Sequence, residues 1–575
     1  MENNNMLSII RQTAAYVLAQ AVKQLYGAEQ VKLGVGSVTE DGFYYDFDVE
    51  KPFVAEDLAA LEKEMERIIR EDRPIASRLV SREDAALLLR REPYKLELLA
   101  GLPLQEDGKL SLYAQWEFLD FQEGAMLSST GGIKAVKLLH AAGAYWQGDA
   151  DNRMLQRVYG TAFAKKAHLK EHLHLLEEAQ KRDHRKLGRE LELFMFSEEA
   201  PGMPFYLPNG FVVRSELENF LRDVQSRQGY REVRSPLMMN RRLWEHSGHW
   251  DHYKDNMYFT QVDEDAFALK PMNCPGHMLV FKNSQHSYRE LPIRLAEFGQ
   301  VHRHEFSGAL NGMMRVRTFC QDDAHLFVRP EQIEEEIARV IALIGQVYGV
   351  FGFSYQVELS TRPEDSMGSP ELWEAAENAL RNVLEKEGLP YRTNEGDGAF
   401  YGPKIDFHIR DALKRSWQCG TIQLDFQMPQ KFGLSYVGED GGKHCPVVIH
   451  RAVYGSIDRF MGILTEHYAG AFPAWLAPVQ VKVLAVSDAH ADYALSVRDA
   501  LQQEGIRVEA DLRREKLGYK IRQAQMEKVP YMLVVGDAEA EGAVVAVRKR
   551  EAGDLGSMAL EELLGLVRQD IAGRK

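Results

Sequence analysis

Hydrophobic residues recur along the chain at two spacings, which predict different elements. Apolar side chains three or four positions apart predict an amphipathic helix over 11–26 and another helix over 331–349. A charged helical pattern covers 55–72, whereas aromatic and β-branched residues predict strands over 42–47 and 354–360. The mixture predicts an α/β or α+β protein.

Changes in this pattern divide the chain into four parts. We expect an N-terminal α/β domain over 1–162, a charged linker helix over 163–192, a large domain over 193–472 and a smaller domain over 473–575. The last part is predicted to have strands near 479–483, 506–511, 532–535 and 543–549 and helices near 491–504, 517–528 and 558–571. Such alternation is typical of a compact α/β domain.

Composition narrows the class of protein. Of the 575 residues, 45% are hydrophobic and 27% are charged, which is typical of a folded globular protein. The sequence has no run of about 18 apolar residues, and its start, MENNNMLSII, lacks the pattern of a secretory signal. Four cysteines are too few for a disulfide framework, so we expect a cytoplasmic protein without a membrane partner.

The charge distribution is compatible with binding to nucleic acid. The net charge of −15 excludes a protein that is basic all over, but it does not exclude local basic patches. Residues 181–190 hold five Lys or Arg and two Asp or Glu. A solvated surface is the simpler interpretation of this segment, and a contact to phosphates is the alternative.

Three short segments of the large domain, which follow one another along the chain, contain candidate functional residues. The first is Val-Arg-Ser-Pro at 233–236, the second is Arg-His-Glu at 303–305, and the third is Gly-Ser-Ile-Asp-Arg at 455–459. Each alone is a weak signal, but as an ordered set they resemble motifs 1, 2 and 3 of class II aminoacyl-tRNA synthetases. The resemblance implies a catalytic core with an antiparallel sheet and a homodimer formed through motif 1.

The residue types suit the activation of an amino acid by ATP. In this reaction the amino acid's carboxylate attacks the α-phosphate, where negative charge builds up and a guanidinium can stabilise it. By resemblance, Arg303 holds that phosphate, Arg459 holds the γ-phosphate and Glu305 accepts from the adenine amino group. The resemblance also places Arg315 and Gln423 in the ATP site, with Mg²⁺ on the polyphosphate.

Cys274, His325 and His450 form a second candidate set. Singly, a buried Cys or His is more often a packing residue than a metal ligand. The segments around them, at 270–277, 315–325 and 447–456, resemble threonyl-tRNA synthetases, and the resemblance extends from about residue 6 to 573. It implies one catalytic Zn²⁺ per subunit, with open positions for the amino group and hydroxyl of threonine. Valine lacks the hydroxyl and would be rejected.

The same resemblance implies the remaining threonine contacts. Asp323 is expected to accept a hydrogen bond from the threonine hydroxyl, and Tyr401 is expected to lie against the amino acid. The implied pocket consists of Met272, Gln321, Asp323, Tyr401, Gln418 and Ser456. A core aromatic remains the alternative for Tyr401, and a strand-edge amide remains the alternative for Gln418.

The last domain resembles the anticodon-binding domain of several class II synthetases. Residues 513–522 carry five positive charges and one negative charge, a local patch that suits RNA. The resemblance implies anticodon contacts from Lys516, Arg522, Glu539 and Arg548, while Arg514 stands where the family has Asn. Tyr519 is expected in the core rather than as a stacking surface.

Two departures from the family pattern follow. The chain begins where the second N-terminal domain of the family begins, so we expect the preceding ubiquitin-like domain to be absent. That second domain normally hydrolyses seryl-tRNA with His-x-x-x-His and Cys-x-x-x-His, but here the positions hold Gln12, Tyr16, Gln122 and Met126. These side chains offer neither a general base near neutral pH nor a thiolate, so we expect no editing. Catalysis by other nearby groups is the alternative.

The leading hypothesis is an ATP-dependent ligase that joins L-threonine to tRNA(Thr) through threonyl-adenylate. The alternative is a catalytically silent tRNA-binding regulatory paralogue, which would predict damage at Arg303, Arg459 or the zinc ligands; none is damaged. An enzyme that charges a carrier protein or small molecule would not need the basic patch at 513–522.

Overall fold

The computed structural model describes residues 2–39, 41–101, 109–122, 124–149 and 151–574. The chain divides into two compact units, Met1–Glu177 and Glu178–Lys575, and each is described by itself. The division falls inside the predicted linker helix. Among the described residues, no helix combines the length and the apolar character that crossing a membrane requires.

The first unit combines helices with antiparallel strands. Its helices are α1 (Glu2–Tyr26), α2 (Ala55–Arg70), α3 (Arg82–Leu88) and α4 (Pro93–Gly101), and α5 (Lys166–Arg182) begins in it. Its strands are β1 (Lys32–Val38), β2 (Phe43–Asp48), β3 (Ala76–Val80), β4 (Leu110–Gln115), β5 (Phe118–Asp120), β6 (Ala135–Tyr145) and β7 (Met154–Phe163). Helices α1 and α2 and strand β2 confirm the elements predicted here.

Helix α1 packs against an antiparallel sheet of order β1-β2-β7-β6. Leu18 of the helix shares a core with Phe43 and Val158 of the sheet. The predicted amphipathic character of this helix is wrong, because residues 10–23 are buried on every side. Its polar side chains therefore need hydrogen-bond partners inside the protein.

The predicted single linker helix over 163–192 is two helices. Helix α5 ends at Arg182, and α6 (His184–Glu190) begins after Asp183, whose side chain accepts a hydrogen bond from the backbone N–H of Arg185. No described residue of α5 is buried, whereas His184 and Leu187 of α6 are. The solvated interpretation therefore holds for α5 and fails for α6.

The large middle part of the second unit contains both helices and strands. Its further helices are α7 (Pro208–Arg227), α8 (Arg241–Ser247), α9 (His249–Tyr253), α10 (Cys274–Lys282), α11 (Ile333–Val350), α12 (Pro370–Lys386), α13 (Met428–Lys431) and α14 (Ile457–His467). Its short strands are β8 (Phe194–Met195), β9 (Phe205–Tyr206), β10 (Arg231–Glu232), β11 (Met238–Asn240), β12 (Phe259–Val262), β13 (Asp265–Leu269) and β14 (His286–Ser287). The following strands are β15 (Ile293–His302), β16 (Thr318–Val328), β17 (Ser354–Ser360), β18 (Tyr391–Asn394), β19 (Lys404–Arg410), β20 (Ser416–Asp425), β21 (Tyr436–Val437), β22 (Lys443–His444) and β23 (Val447–Ala452).

One large sheet organises this part, with strand order β10-β15-β16-β23-β20-β19-β17-β18. Its inner neighbours are antiparallel, and only the edge strands β10 and β18 pair in parallel. Ile337 of α11 and Phe460 of α14 share a core with Ile422 and Ile449 of the sheet. The helices therefore cover one face, which leaves the other face available for a site. This sheet confirms the expected fold class.

The C-terminal part is an α/β layer built on a sheet of order β25-β24-β26-β27-β28. The strands are β24 (Val481–Ala485), β25 (Val508–Asp511), β26 (Tyr531–Val535), β27 (Val544–Lys549) and β28 (Gly553–Ala559). The helices are α15 (Ala491–Gln503), α16 (Leu517–Met526), α17 (Asp537–Gly542) and α18 (Leu560–Ala572). The predicted alternation is confirmed, but α17 and β28 were not expected.

Candidate active site

The predicted site residues converge on one face of the large sheet. Cross-strand pairing aligns Lys404, Gln423, His450 and His325 in a single row across β19, β20, β23 and β16. Asp323 lies two positions before His325 and so faces the same side. These side chains line a cavity of about 460 Å³.

Cys274 reaches this row from a different element. It is the first residue of α10, and Pro275 follows it at a position where proline favours the start of a helix. The Sγ atom of Cys274 and one nitrogen each of His325 and His450 lie within 4.8 Å of one another. All three side chains are buried. The fold thus brings together three residues that are far apart in sequence.

The second nitrogen of each histidine is already engaged. His450 Nε2 lies 2.9 Å from Asp425 Oδ2, and His325 Nδ1 lies 2.9 Å from His277 Nδ1. These contacts leave His450 Nδ1 and His325 Nε2 free to bind a metal. Hydrogen bonds of this kind fix the orientation of a ligating imidazole.

Glu297 anchors the partner of His325. Its carboxylate lies 3.0 Å from His277 Nε2 and accepts hydrogen bonds from Lys270 Nζ at 2.9 Å and from Ser235 Oγ at 2.8 Å. Burial alone would raise the pKa of Glu297, but the hydrogen bonds from His277 and Lys270 outweigh it and lower the pKa to about 2. The charged carboxylate therefore holds the imidazole of His277 in place.

The electrostatics of the three candidate ligands suit a divalent cation. Burial raises the pKa of the Cys274 thiol well above its ordinary value, and Asp323 and Asp425 raise it further. Burial also lowers the pKa of His325. A divalent cation favours a thiolate and neutral imidazoles, so it would stabilise this set. One sulfur and two nitrogens with room beside them are the donors of a zinc site that keeps positions open for a substrate.

The predicted threonine pocket surrounds these ligands. Asp323 accepts a hydrogen bond from Asn273 Nδ2 at 3.0 Å, and burial raises its pKa. Tyr401 is buried, lies with its ring 4.9 Å from that of His450, and donates a hydrogen bond to Gln423. The residues of the predicted pocket that line the same cavity are Met272, Gln321, Asp323, Tyr401, Gln418 and Ser456.

The predicted ATP residues line another part of the same cavity. Arg303 donates to the carbonyl of Pro271 at 3.2 Å, and Glu305 pairs with Arg315 at 2.9 Å. Arg459 donates to the carbonyl of Met314 at 2.9 Å. Ser456 caps the helix that carries Arg459 by accepting from its backbone N–H at 3.1 Å. Gln423 completes the predicted ATP residues that line this cavity.

Some residues of the site were not expected from the sequence. His249 is fully buried, and its Nε2 lies 3.8 Å from Cys274 Sγ and 3.2 Å from Met272 Sδ. Burial, assisted by His450 and Arg303, lowers the pKa of His249 to about 3, so its ring is neutral. The segment HSGHWDHY around it carries no signal that would single out this histidine.

Comparisons with known proteins identify the family of the chain. Residues 258–468 match the class II tRNA synthetase core domain family (G, H, P, S and T), and residues 480–570 match the anticodon-binding domain family. The chain is 63% identical to threonine–tRNA ligase 2 of Bacillus subtilis over 551 residues, which cover 96% of this chain and 86% of the relative. The chain belongs to the threonyl-tRNA synthetase family.

Further relatives of the family support this assignment. The threonine–tRNA ligase of Acetivibrio thermocellus is 58% identical over 98% of this chain and 89% of its own length. The RNA-binding domain of threonyl-tRNA synthetase from Cryptosporidium parvum has a similar structure, with 44% identity and a TM-score of 0.66 over 68% of this chain and 98% of its own. The chain is therefore a threonine–tRNA ligase, an aminoacyl-tRNA synthetase with a tRNA-binding anticodon domain.

The anticodon-binding domain of this synthetase places its predicted contacts on several elements. Lys516 precedes α16, Arg522 lies on α16, Glu539 on α17 and Arg548 on β27. Lys516 and Arg522 are exposed and have no ion pair with any residue that the structure describes. Glu539 accepts from the backbone N–H of Gly536 at 3.0 Å.

Two expectations for the segment 513–522 are wrong. Lys520 is only 2% exposed and donates to the carbonyls of Ala485 and Asp511, so it does not belong to the surface patch. Tyr519 is not a core residue, because 45% of it is exposed. Sequence spacing could not reveal this, since it does not show which face of α16 meets the sheet.

Gln12 and Gln122, two of the positions where editing residues were expected to be missing, belong to a buried polar network in the first unit. Gln12 donates a hydrogen bond to the amide oxygen of Gln122, and the amide nitrogen of Gln122 donates to Asp120 at 2.8 Å. Asp120 also pairs with Lys95 Nζ at 2.7 Å and accepts from Tyr45 at 2.6 Å. The amide of Gln122 thus both accepts and donates a hydrogen bond within the protein. Asp120, Lys95 and Tyr45 were not expected here.

The other two of these positions hold Tyr16 and Met126. The hydroxyl of Tyr16 lies 3.3 Å from the carbonyls of Tyr113 and Phe118, and it donates to them. Burial, reinforced by Asp120, raises the pKa of Tyr16, so the phenol stays protonated. Met126 is half-buried and has no titratable group.

Proposed function

We propose that this chain activates L-threonine with ATP and Mg²⁺ as threonyl-adenylate and transfers it to tRNA(Thr) in the cytoplasm, with one Zn²⁺ per subunit recognising threonine. The observation that carries the proposal is the convergence of Cys274, His325 and His450 in the cavity that Arg303 and Arg459 also line. A metal held by these three side chains would therefore share one cavity with the two guanidiniums. The amino acid and the triphosphate therefore have adjacent binding groups.

The zinc would act as a Lewis acid that binds the amino group and hydroxyl of threonine. Asp323, held by Asn273, is placed to accept the hydroxyl proton in a hydrogen bond. Tyr401 closes the pocket beside His450. A site built to bind a hydroxyl rejects valine by about 10⁴ or more, because valine would leave buried polar groups unpaired.

The guanidiniums act on the phosphates of ATP. Arg303 lies close to the aromatic rings of Phe319 and Tyr253, with ring centres 5.0 and 5.7 Å from its guanidinium carbon. Arg459 is anchored by its bond to Met314. Both side chains are therefore held in fixed positions, and preorganised positive charge stabilises the phosphate as negative charge develops.

Loss of editing is the second part of the proposal. Gln12, Gln122 and Tyr16 bond to protein neighbours, and none supplies a base or a nucleophile. Asp120 is the nearest carboxylate to Gln122 in the network, but its partners Lys95 and Tyr45 hold it in a buried ion pair. Other catalytic groups remain the alternative, and Asp120 is the residue that would test it.

A homodimer through motif 1 is the third part. Pro236 and Leu243 line an apolar groove of about 520 Å³ beside α10. Several large apolar side chains of this region are exposed, namely Leu237, Met238, Leu279 and Val280. Such a patch favours a protein interface. Analytical ultracentrifugation of the wild type and Leu279→Asp at micromolar concentration tests this assembly. We expect a dimer for the wild type and a monomer for Leu279→Asp.

The catalytically silent regulatory paralogue is disfavoured by the same cavity. That hypothesis predicts loss of a metal ligand or of Arg303 or Arg459, yet all of them line one continuous cavity. The deciding experiment is tRNA charging with radiolabelled threonine and, in parallel, serine. We expect threonyl-tRNA to form and seryl-tRNA to accumulate. Absence of any charging would overturn the proposal, and clearance of added seryl-tRNA would overturn the loss of editing.

A further inference from the structure

His184 bridges the loop over 311–315 and the C-terminal end of α14. It is the first residue of α6 and is buried between the loop over 311–315 and the end of α14. Its Nδ1 lies 2.6 Å from Glu466 Oε1, and its Nε2 accepts a hydrogen bond from the backbone N–H of Met313 at 3.0 Å. The imidazole therefore spans from α14 to the loop.

Asp183, His184 and Glu466 also have ligand atoms close enough for a metal ion. Two observations favour a hydrogen-bonded junction instead. Both nitrogens of His184 already have protein partners. Glu466 accepts from the backbone N–H of His184 at 3.0 Å and pairs with Arg415. Every donor and acceptor of the junction is thus satisfied without a cation.

Gly312 lets the loop approach the imidazole closely. Its φ of +48° lies in the left-handed region, and a Cβ atom at this position would lie 2.1 Å from His184 Nε2. Any larger residue would push the loop away from the imidazole. The loop is therefore seated on His184 through direct backbone contact.

The opposite side of the same loop faces ATP-binding groups. Arg459 donates to the carbonyl of Met314 at 2.9 Å, and Arg315 pairs with Glu305. Met313, Met314 and Arg315 all line the cavity. The loop is thus held between His184 on one side and Arg459 on the other.

We propose that His184 is a positioning residue for ATP: by accepting from Met313, it holds the loop over 311–315 where Met314 and Arg315 can close around the nucleotide. The inference rests on the ATP-dependent ligase activity and not on the proposed zinc or editing roles. The hydrogen-bond partners of His184 are Glu466 and Met313, and neither is a candidate zinc ligand. A change at His184 should therefore leave the threonine pocket unaffected. The expected signature is therefore selective for ATP.

Two substitutions of His184 separate its two bonds. In His184→Gln the amide oxygen reaches about as far as Nε2 and can still accept from Met313. In His184→Asn the amide nitrogen lies about where Nδ1 lies and can still donate to Glu466, but nothing reaches Met313. In threonine-dependent ATP–pyrophosphate exchange we expect His184→Asn to raise the KM for ATP about three- to tenfold, because one hydrogen bond is lost. His184→Gln should keep the KM for ATP close to that of the wild type. The KM for threonine should stay within about twofold.

His467→Asn is the matched control, since this neighbouring histidine packs against Phe353 rather than the loop. It should leave the KM for ATP unchanged. Gly312→Ala displaces the loop while keeping His184, and it should reproduce the effect of His184→Asn even if that variant folds poorly. An unchanged KM for ATP in Gly312→Ala, or equal effects of the Asn and Gln variants, would overturn the proposal. Absence of exchange in the wild type would instead contradict the ligase activity.

Discussion

His450 and Asp425 form a hydrogen bond of 2.9 Å between Nε2 and a carboxylate oxygen. The other carboxylate oxygen of Asp425 accepts from the backbone N–H groups of Gln427 and Met428, which fixes the carboxylate. The fixed carboxylate orients the imidazole so that Nδ1 points to the predicted metal. Removing such a partner usually lowers metal affinity by about 10- to 100-fold.

Asp425→Asn should therefore weaken zinc binding by about that factor. Asparagine keeps the oxygen that accepts from Gln427, so the local backbone should survive. Zinc affinity is measured by competition with a chromogenic chelator. Asp440→Asn is the matched control, because Asp440 bonds to His444 at 2.9 Å on the exposed surface. Equal zinc affinities in all three proteins would show that Asp425 has no role in metal binding.

Cys274→Ser tests the metal site directly. Serine replaces the thiolate by a neutral hydroxyl, a much poorer zinc ligand. Bound zinc should fall well below one per subunit, and threonine-dependent ATP–pyrophosphate exchange should fall with it. Cys445→Ser is the control, since Cys445 is a free, exposed cysteine. Retention of both zinc and exchange in Cys274→Ser would remove Cys274 from the ligand set.

The candidate metal ligands could be singled out from the sequence, but the residues that orient them could not. Cys274, His325 and His450 stand in segments whose order resembles a known family. His277 and Asp425 orient the two histidines through contacts that exist only in the folded chain. Sequence spacing carries no information about such long-range contacts.

The burial of helices was predicted less well than their positions. Helix α1 was expected to be amphipathic because apolar residues such as Leu18 and Val22 recur at helical spacing. In the fold its polar residues meet an internal network, since Gln12 bonds to Gln122 and Gln122 bonds to Asp120. The spacing of apolar residues indicates a helix, but it does not distinguish water from a buried amide as the partner of a polar side chain.

Tyr519 gives a prediction for tRNA binding. Its exposed ring lies beside Arg513 and on the same segment as Lys516 and Arg522. Stacking of one base on an aromatic ring is worth about 1–3 kcal/mol. Tyr519→Ala should therefore raise the KM for tRNA(Thr) roughly tenfold and leave ATP–pyrophosphate exchange unchanged. Met526→Ala, an exposed residue on the same helix, should have no effect. If the two variants behave alike, Tyr519 is not a stacking surface.

Seryl-tRNA provides the test of the first unit. Serine has the amino group and hydroxyl that zinc would bind and lacks only a methyl group, which is worth about 1–3 kcal/mol. We therefore expect serine to be activated at about one-tenth to one two-hundredth of the efficiency of threonine. Preformed seryl-tRNA should disappear no faster with the enzyme than in buffer. Faster disappearance that Asp120→Asn abolishes would mean that the carboxylate between Gln122 and Lys95 still supports hydrolysis. The network around Gln12 would then be a working site with a different set of groups, rather than an inert one.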